Sequence, residues 1–253
     1  MLVKKSNGVL IYRGPSELDG KPIVVIATGL ANGSSNTKTG NGLIQTWILR
    51  EDVSPTDAVN TGDDVSICGA CPHRGEIVDG RNVGRSCYVT IFQAPLNVWK
   101  SYHRGIYPDV SNDLAATFAG RGVRLGAYGD PAAVPLGIWD ETLSQASFWT
   151  GYTHQWRAVA QSLAKYCMAS ADSAADRFAA KVLGYRTFRV QSRADHAAEG
   201  EVICPASAEA GHKTTCDACK ACGGLGAKAK ADIVIAVHGS AAKVNAADRR
   251  VQA

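Results

Sequence analysis

Val123-Arg124-Leu125-Gly126-Ala127-Tyr128, then Pro135 to Ala146 with Leu136, Trp139 and Leu143 on one face, then Phe148-Trp149-Thr150-Gly151-Tyr152 form the stretch that decides the fold. The first and last runs are short, apolar or aromatic and bounded by turn residues, as strands are. The middle run repeats its apolar residues at helical spacing. A strand, a helix of ordinary length and another strand imply parallel pairing through a right-handed crossover.

Working outward, the unit recurs. Trp156, Val159, Ala160, Leu163 and Cys167 stand at helical spacing, with a strand near Cys167 competing for the last turn. Met168 to Ser170 reads as a strand, Ala175, Phe178 and Val182 as a helix ended by Gly184, and Arg186 to Val190 and Asp232 to His238 as strands. Upstream, Pro95 opens a helix carrying Leu96, Trp99 and Tyr102 that stops before Gly105. Five or six units predict an α/β partial barrel, because a complete eight-fold (β/α) barrel typically takes about 250 residues by itself. Val9 to Tyr12, Ile23 to Ala27 and Leu43 to Leu49 predict an N-terminal β-rich segment over residues 1–50, packed on a barrel-like domain over 51–239. Residues 240–253 show no clear apolar face and read as a frayed tail.

Seven of the eight cysteines fall in two clumps, Cys68-x2-Cys71-x15-Cys87 and Cys204-x11-Cys216-x2-Cys219-x2-Cys222. A C-x-x-C turn aims two thiolates at one point, and two further ligands complete a tetrahedral zinc site or an iron–sulfur cube. The second clump has the three-in-a-row spacing that holds three irons of a 4Fe-4S cluster, with Cys204 as the remote fourth ligand. The first offers three thiolates, which leave one iron of a cubane open, or three thiolates and His73, which close a structural zinc. Disulfides or buried free thiols are the plainer alternative. Cys167 lies on an apolar stripe and reads as core.

Composition bounds the alternatives. With 45% hydrophobic and 20% charged residues, 253 residues can bury a sizeable core. A net charge of +4, with basic residues scattered, permits a nucleic-acid partner without demanding one. Met1 to Ser6 has no apolar run behind its lysines, and no stretch approaches membrane-spanning length. A soluble cytoplasmic protein without a membrane partner is the expectation, and reduced thiols in that compartment favour metal over disulfides. The Gly29 to Gly40 loop is not a Walker A motif, because Thr37 stands where a glycine must precede Lys38. Backbone N–H groups with Lys38 leave a looser anion site, or a plain loop.

In parallel α/β folds, function gathers at the carboxyl ends of the strands. Those ends carry Tyr128 and Asp130, Thr150, Tyr152 and His154, Ser170 and Asp172, Arg189 and Gln191, and His238. Asp130 serves as a substrate-binding carboxylate or as turn chemistry before Pro131, and His154 as an acid/base or as the opening of its helix. Asp172 reads as a site residue or an N-cap beside Ser173. Arg189, on a strand, requires an internal carboxylate or an anionic ligand. The second clump follows a strand and is expected on the same rim, as is the first if it follows the first barrel strand.

Ser66-Ile67-Cys68-Gly69-Ala70-Cys71-Pro72-His73-Arg74, Arg85 to Val89, Val98 to Lys100, Val123 to Pro135, Thr150 to Trp156 and Cys204 to Ser207 resemble a cysteine-rich protein family of bacteriophages and prophages. The resemblance covers roughly Ser34 to Gly239 and carries no established activity. More distantly, that family looks like phage proteins with a radical-SAM-like barrel, in which a cysteine followed by tyrosine, here Cys87-Tyr88, ends the cluster loop. Radical S-adenosylmethionine enzymes usually space their cysteines C-x3-C-x2-C, and this chain departs from that.

The resemblance implies 4Fe-4S clusters and an S-adenosylmethionine site using Tyr88, Gly126 and Gly129. It also implies a radical-type enzyme in the cytoplasm of the infected bacterium, acting on a small molecule or nucleotide met by Asp130, His154, Asp172 and Arg189. The rival is a zinc-stabilised, non-enzymatic phage protein that binds nucleic acid or a host protein. A third reading is a metal-dependent hydrolase using the strand-end Asp and His residues.

Overall fold

The computed structural model describes residues 6–33, 38–192 and 195–252, with the side chains of 250–252 left aside. Most of the Met1 to Ser6 segment and residues 34–37 of the expected anion loop lie outside them.

In chain order the elements begin with β1 (Gly8–Pro15), β2 (Pro22–Thr28) and β3 (Leu43–Arg50). Two short helices follow, α1 (Pro55–Thr61) and α2 (Val65–Cys68), then a hairpin of β4 (Glu76–Val78) and β5 (Arg81–Val83). Next come α3 (Ala94–His103), α4 (Leu114–Thr117), β6 (Gly122–Tyr128), α5 (Leu136–Leu143), β7 (Phe148–Thr150) and β8 (Tyr152–Thr153). The chain continues through β9 (Met168–Ala171), α6 (Ala174–Val182), β10 (Thr187–Gln191), β11 (Glu201–Ile203), α7 (Cys216–Cys219), β12 (Asp232–Ala236) and α8 (Ala241–Gln252).

These strands build a mixed sheet and a parallel one. The first runs β1-β2-β3-β6-β7, antiparallel between β1, β2 and β3 and parallel from β3 onward. The second runs β11-β12-β10-β9-β8 and is parallel throughout. β7 and β8 are one chain segment broken only at Gly151, with Arg124 beside Thr150 on one side and Met168 beside Tyr152 on the other. The sheets therefore meet there. A Cβ at Gly151 would lie 2.8 Å from Cys167 Sγ and 2.9 Å from the Tyr166 carbonyl, so only glycine lets the strand pass. Among the described residues no pairing joins β11 to β1, and the barrel does not close.

Burial explains the strands. Ile23 to Ala27 on β2 is wholly buried, as a central strand's continuous apolar run should be. On β6 the period of two puts Val123 and Leu125 into the main core and Arg124 and Gly126 toward the cavity, while Ala127 and Tyr128, past a register shift against β3, border both. Trp139 on α5 and Phe118 after α4 are fully buried in that core. The Trp139 indole N–H donates to the Pro131 carbonyl at 2.9 Å.

Three expectations are corrected. Leu43–Arg50, expected within the β-rich segment that packs on the barrel, is itself part of the parallel run, because β3 pairs in parallel with β6. The expected helix from Trp156 to Cys167 is a turn followed by a 3₁₀ stretch, Gln161–Lys165. Its apolar residues serve two cores: Trp156 and Ala164 pack with Ala169, Ala180 and Tyr185, while Leu163 and Cys167 join the main core. One helical face cannot reach both. The tail is not frayed, because α8 buries Val244 and Ala247 against Val237 and Val190, a stripe only two residues wide. No helix among the described residues is long and apolar enough to cross a membrane.

Candidate metal centre

The first cysteine set is assembled by the loop after β3. Ser54 caps α1 by accepting the Asp57 N–H, and Arg74 ties the loop together through Asp64 and the carbonyls of Gly62 and Gly69. Gln155, just beyond β8, clamps the Cys68–Cys71 turn from the sheet side. Its Nε2 donates to the Cys68 carbonyl at 3.0 Å and its Oε1 accepts the Ala70 N–H at 3.1 Å. That approach requires Gly69, whose Cβ would sit 2.4 Å from Gln155 Oε1 at a φ of +53°. The fifteen residues between Cys71 and Cys87 contain the β4–β5 hairpin, whose ends reconverge. The N–H groups of Ser86 and Cys87 both donate to the His73 carbonyl, at 3.2 and 3.0 Å. The wide spacing in sequence is thus a short spacing in space.

The second set does not share that rim, contrary to expectation. Cys204 leaves β11 with its N–H on the Val234 carbonyl, and the chain then folds back. Cys216 and Asp217 donate to the carbonyls of Lys38 and Thr39, before β3. The Cys222 carbonyl accepts the Gly151 N–H, and Arg186, before β10, donates to the carbonyls of Ala221 and Gly224. These partners precede or interrupt their strands. α7 and its flanks therefore lie toward the amino ends, away from the first set.

Both sets nevertheless line one cavity of about 480 Å³ with Arg124, Gly126, Tyr128, Thr150, Tyr152 and Val190. All eight cysteines are free thiols. Burial pushes Cys68, Cys87 and Cys216 up, with neighbouring thiols adding to it, and brings Cys222 to about 12. Without a cation these thiols stay protonated. No three sulfurs lie within 4.8 Å of one another. A tetrahedral zinc, with Zn–S near 2.3 Å, would need its thiolates about 3.8 Å apart. A four-iron cube takes a wider set.

At the carboxyl rim, His73, His154 and Asp172 converge. His73 Nε2 is 2.8 Å from Asp172 Oδ1 and its Nδ1 is 2.7 Å from Ser86 Oγ, while His154 Nε2 is 3.3 Å from Asp172 Oδ2. Burial lowers His154's proton affinity, but Cys71 and Asp172 beside it win and hold its pKa well above 6.5. Burial likewise opposes charge on Asp172, yet the two imidazoles hold its carboxyl far below the usual range. His73 does not complete a Cys3His set, since its ring nitrogens face Ser86 and Asp172.

The remaining expected residues divide. Asp130 is buried and local: its Oδ1 accepts the Ala132 N–H and its Oδ2 the His154 N–H, so it positions His154. Ser173, not Asp172, caps α6 by accepting the Asp176 N–H. Arg189 points away from the cavity. Glu201 takes its Nε at 2.8 Å and Nη2 at 2.6 Å, so the internal carboxylate is its partner and Arg189 is corrected out of the pocket. Tyr88 lines the cavity with its hydroxyl 2.9 Å from Arg124 Nη2. Gly126 and Gly129 also line it, at φ of +62° and +82°.

Arg124 and Gln155 were missed by the sequence reading. Arg124 was signalled by the period of two, which puts it on the face of Gly126; Gln155 had no signal. Among the described residues no carboxylate lies within ion-pair distance of Arg124. Comparison with protein-family models, curated proteins and solved structures found no match to this chain.

Proposed function

We propose that the chain is an iron–sulfur-cluster-binding phage protein, built as a partial (β/α) barrel like that of radical S-adenosylmethionine enzymes. It acts as a radical-type enzyme on a small molecule or nucleotide in the cytoplasm of the infected bacterium. The observation that carries this reading is that seven of the eight cysteines, delivered by two loops from different ends of the sheet, line one cavity. The bacteriophage origin rests on the sequence resemblance alone.

The donor chemistry fits the group. Cys68, Cys71 and Cys87 would hold a 4Fe-4S cluster with one open iron, and Cys204, Cys216, Cys219 and Cys222 a closed one. Such a cluster supplies one-electron chemistry to its substrate or to S-adenosylmethionine. The hairpin between Cys71 and Cys87 accounts for the departure from the usual spacing.

The chain's own residues define the rest of the pocket. Gln155 fixes the Cys68–Cys71 turn, and Tyr88, Gly126 and Gly129 give a cofactor an edge to lie on. Arg124, which has Tyr88 but no carboxylate, offers its guanidinium to a phosphate or carboxylate. The reading therefore favours an anionic substrate, such as a nucleotide.

Equilibrium dialysis of S-adenosylmethionine against anaerobically purified protein tests the assignment. Wild type and Cys219→Ser are expected to bind it and Cys71→Ser to lose it. Binding retained in Cys71→Ser, or absent from iron-loaded wild type, would overturn the assignment.

A further inference from the structure

The carboxyl rim carries a second kind of donor set, which the cysteine chemistry does not use. One nitrogen of His73, one of His154 and a carboxylate oxygen of Asp172 all lie within 4.8 Å of one another, the only such group of histidine, cysteine or acidic residues among those described. They come from three separate places: the turn after Cys71, the end of β8 and the end of β9. Each is held from behind. Ser86 Oγ sits on His73 Nδ1, which leaves Nε2 turned toward the group. Asp130 accepts the His154 N–H, and the Asp172 N–H donates to Asp176 Oδ2 at 3.1 Å.

A plain ion network explains these positions incompletely. His73 and Asp172 make a well-directed contact, whereas His154 Nε2 lies 3.3 Å from Asp172 Oδ2, an ion-pair approach whose geometry falls short of a hydrogen bond. The side chains are 16–22% exposed, so the group can be reached. A second cavity of about 460 Å³ opens on its outer side, lined also by Arg157, Ser173, Gln191 and Asp248. His73 and His154 border both cavities.

We propose that His73, His154 and Asp172 form a mononuclear site for a divalent first-row metal ion at the rim between the two cavities, next to Cys71 but with no cysteine among its donors. Two imidazoles and one carboxylate with open positions are the donor set that holds non-haem Fe(II) and accepts Mn(II). The ion would take His73 Nε2, His154 Nε2 and an Asp172 oxygen. The outer cavity leaves room at the open positions for water or an oxygen of a bound molecule. The inference stands independently of the iron–sulfur reading.

Mn(II) is the probe, because thiolate sites hold it poorly. Titrating the full-length protein and following free Mn(II) by electron paramagnetic resonance is expected to show one saturable ion per chain. Asp172→Asn and His154→Gln should each weaken uptake by at least about tenfold, while Cys68→Ser and Cys216→Ser keep it. A thermal melt shows whether each variant is folded, and His73→Gln replaces either one that is not. Absence of saturable uptake by wild type, uptake unchanged in the folded rim variants, or uptake lost with Cys68→Ser but kept in Asp172→Asn would each overturn the site.

Discussion

Arg189 leaves β10 on the face away from the cavity, where Glu201 on β11 meets it through both carboxylate oxygens and Arg177 adds a second cation at 3.4 Å. The Glu201 side chain is fully buried. Burial by itself would raise its pKa, but the hydrogen bonds from Arg189 and the Ala198 N–H prevail and hold it below the ordinary value. Glu201→Gln leaves the buried Arg189 guanidinium without its carboxylate, while Arg177 keeps Asp232, and is expected to cost about 3–5 kcal/mol in denaturant unfolding near neutral pH. The sign with pH follows from the depressed pKa. The stabilisation is complete above the unfolded carboxyl's value, about 4.3, and is lost as pH falls through the lower folded value. The gap between wild type and Glu201→Gln should therefore shrink below about pH 4. That Arg189 needs a partner was legible in the sequence. Which partner was not, because Glu201 reaches it only through the pairing of β11 and β10 on either side of β12. The same argument about an uncompensated guanidinium applies to Arg124, whose role was hidden because strand ends were read and strand faces were not.

At the scale of elements, strands were the most legible feature, since short β-branched and aromatic runs bounded by glycine admit few other readings. β6, β9, β10 and β12 stand close to where their residues put them. Helical spacing misled where one stripe served two cores, as at Trp156 to Cys167. α8 shows the reverse error, a helix whose two buried residues were too few to mark a face. Gly151 carries the join between the sheets. Gly151→Val would drive a branched side chain into Cys167 Sγ and the Tyr166 carbonyl and is expected to cost about 1–3 kcal/mol by overpacking, read as a lower midpoint of thermal or denaturant unfolding. Unchanged stability would mean that the strand does not pinch there. The hairpin of β4 and β5 explains why residue counting between Cys71 and Cys87 understates their proximity.

For the whole molecule, the alternation of strands and helices conveyed the α/β class and the parallel pairing, but not the path of the loop after Cys204. A loop that follows a strand begins at the carboxyl rim, yet nothing local in sequence says where it goes. Here its hydrogen bonds to Lys38, Thr39 and Gly151 carry it back toward the amino ends. One cavity thereby acquires thiols from both directions, with the histidine and aspartate group at its outer edge. The proposed function requires that these thiols hold iron and sulfide. Anaerobic purification with an optical spectrum and counts of iron, acid-labile sulfide and zinc tests it most directly. A brown protein absorbing near about 400 nm, with iron and sulfide each at about eight per chain from the cysteine sites, is the expected result. A colourless protein holding about two zinc ions and no sulfide would contradict it and turn the search from a reaction to a binding partner.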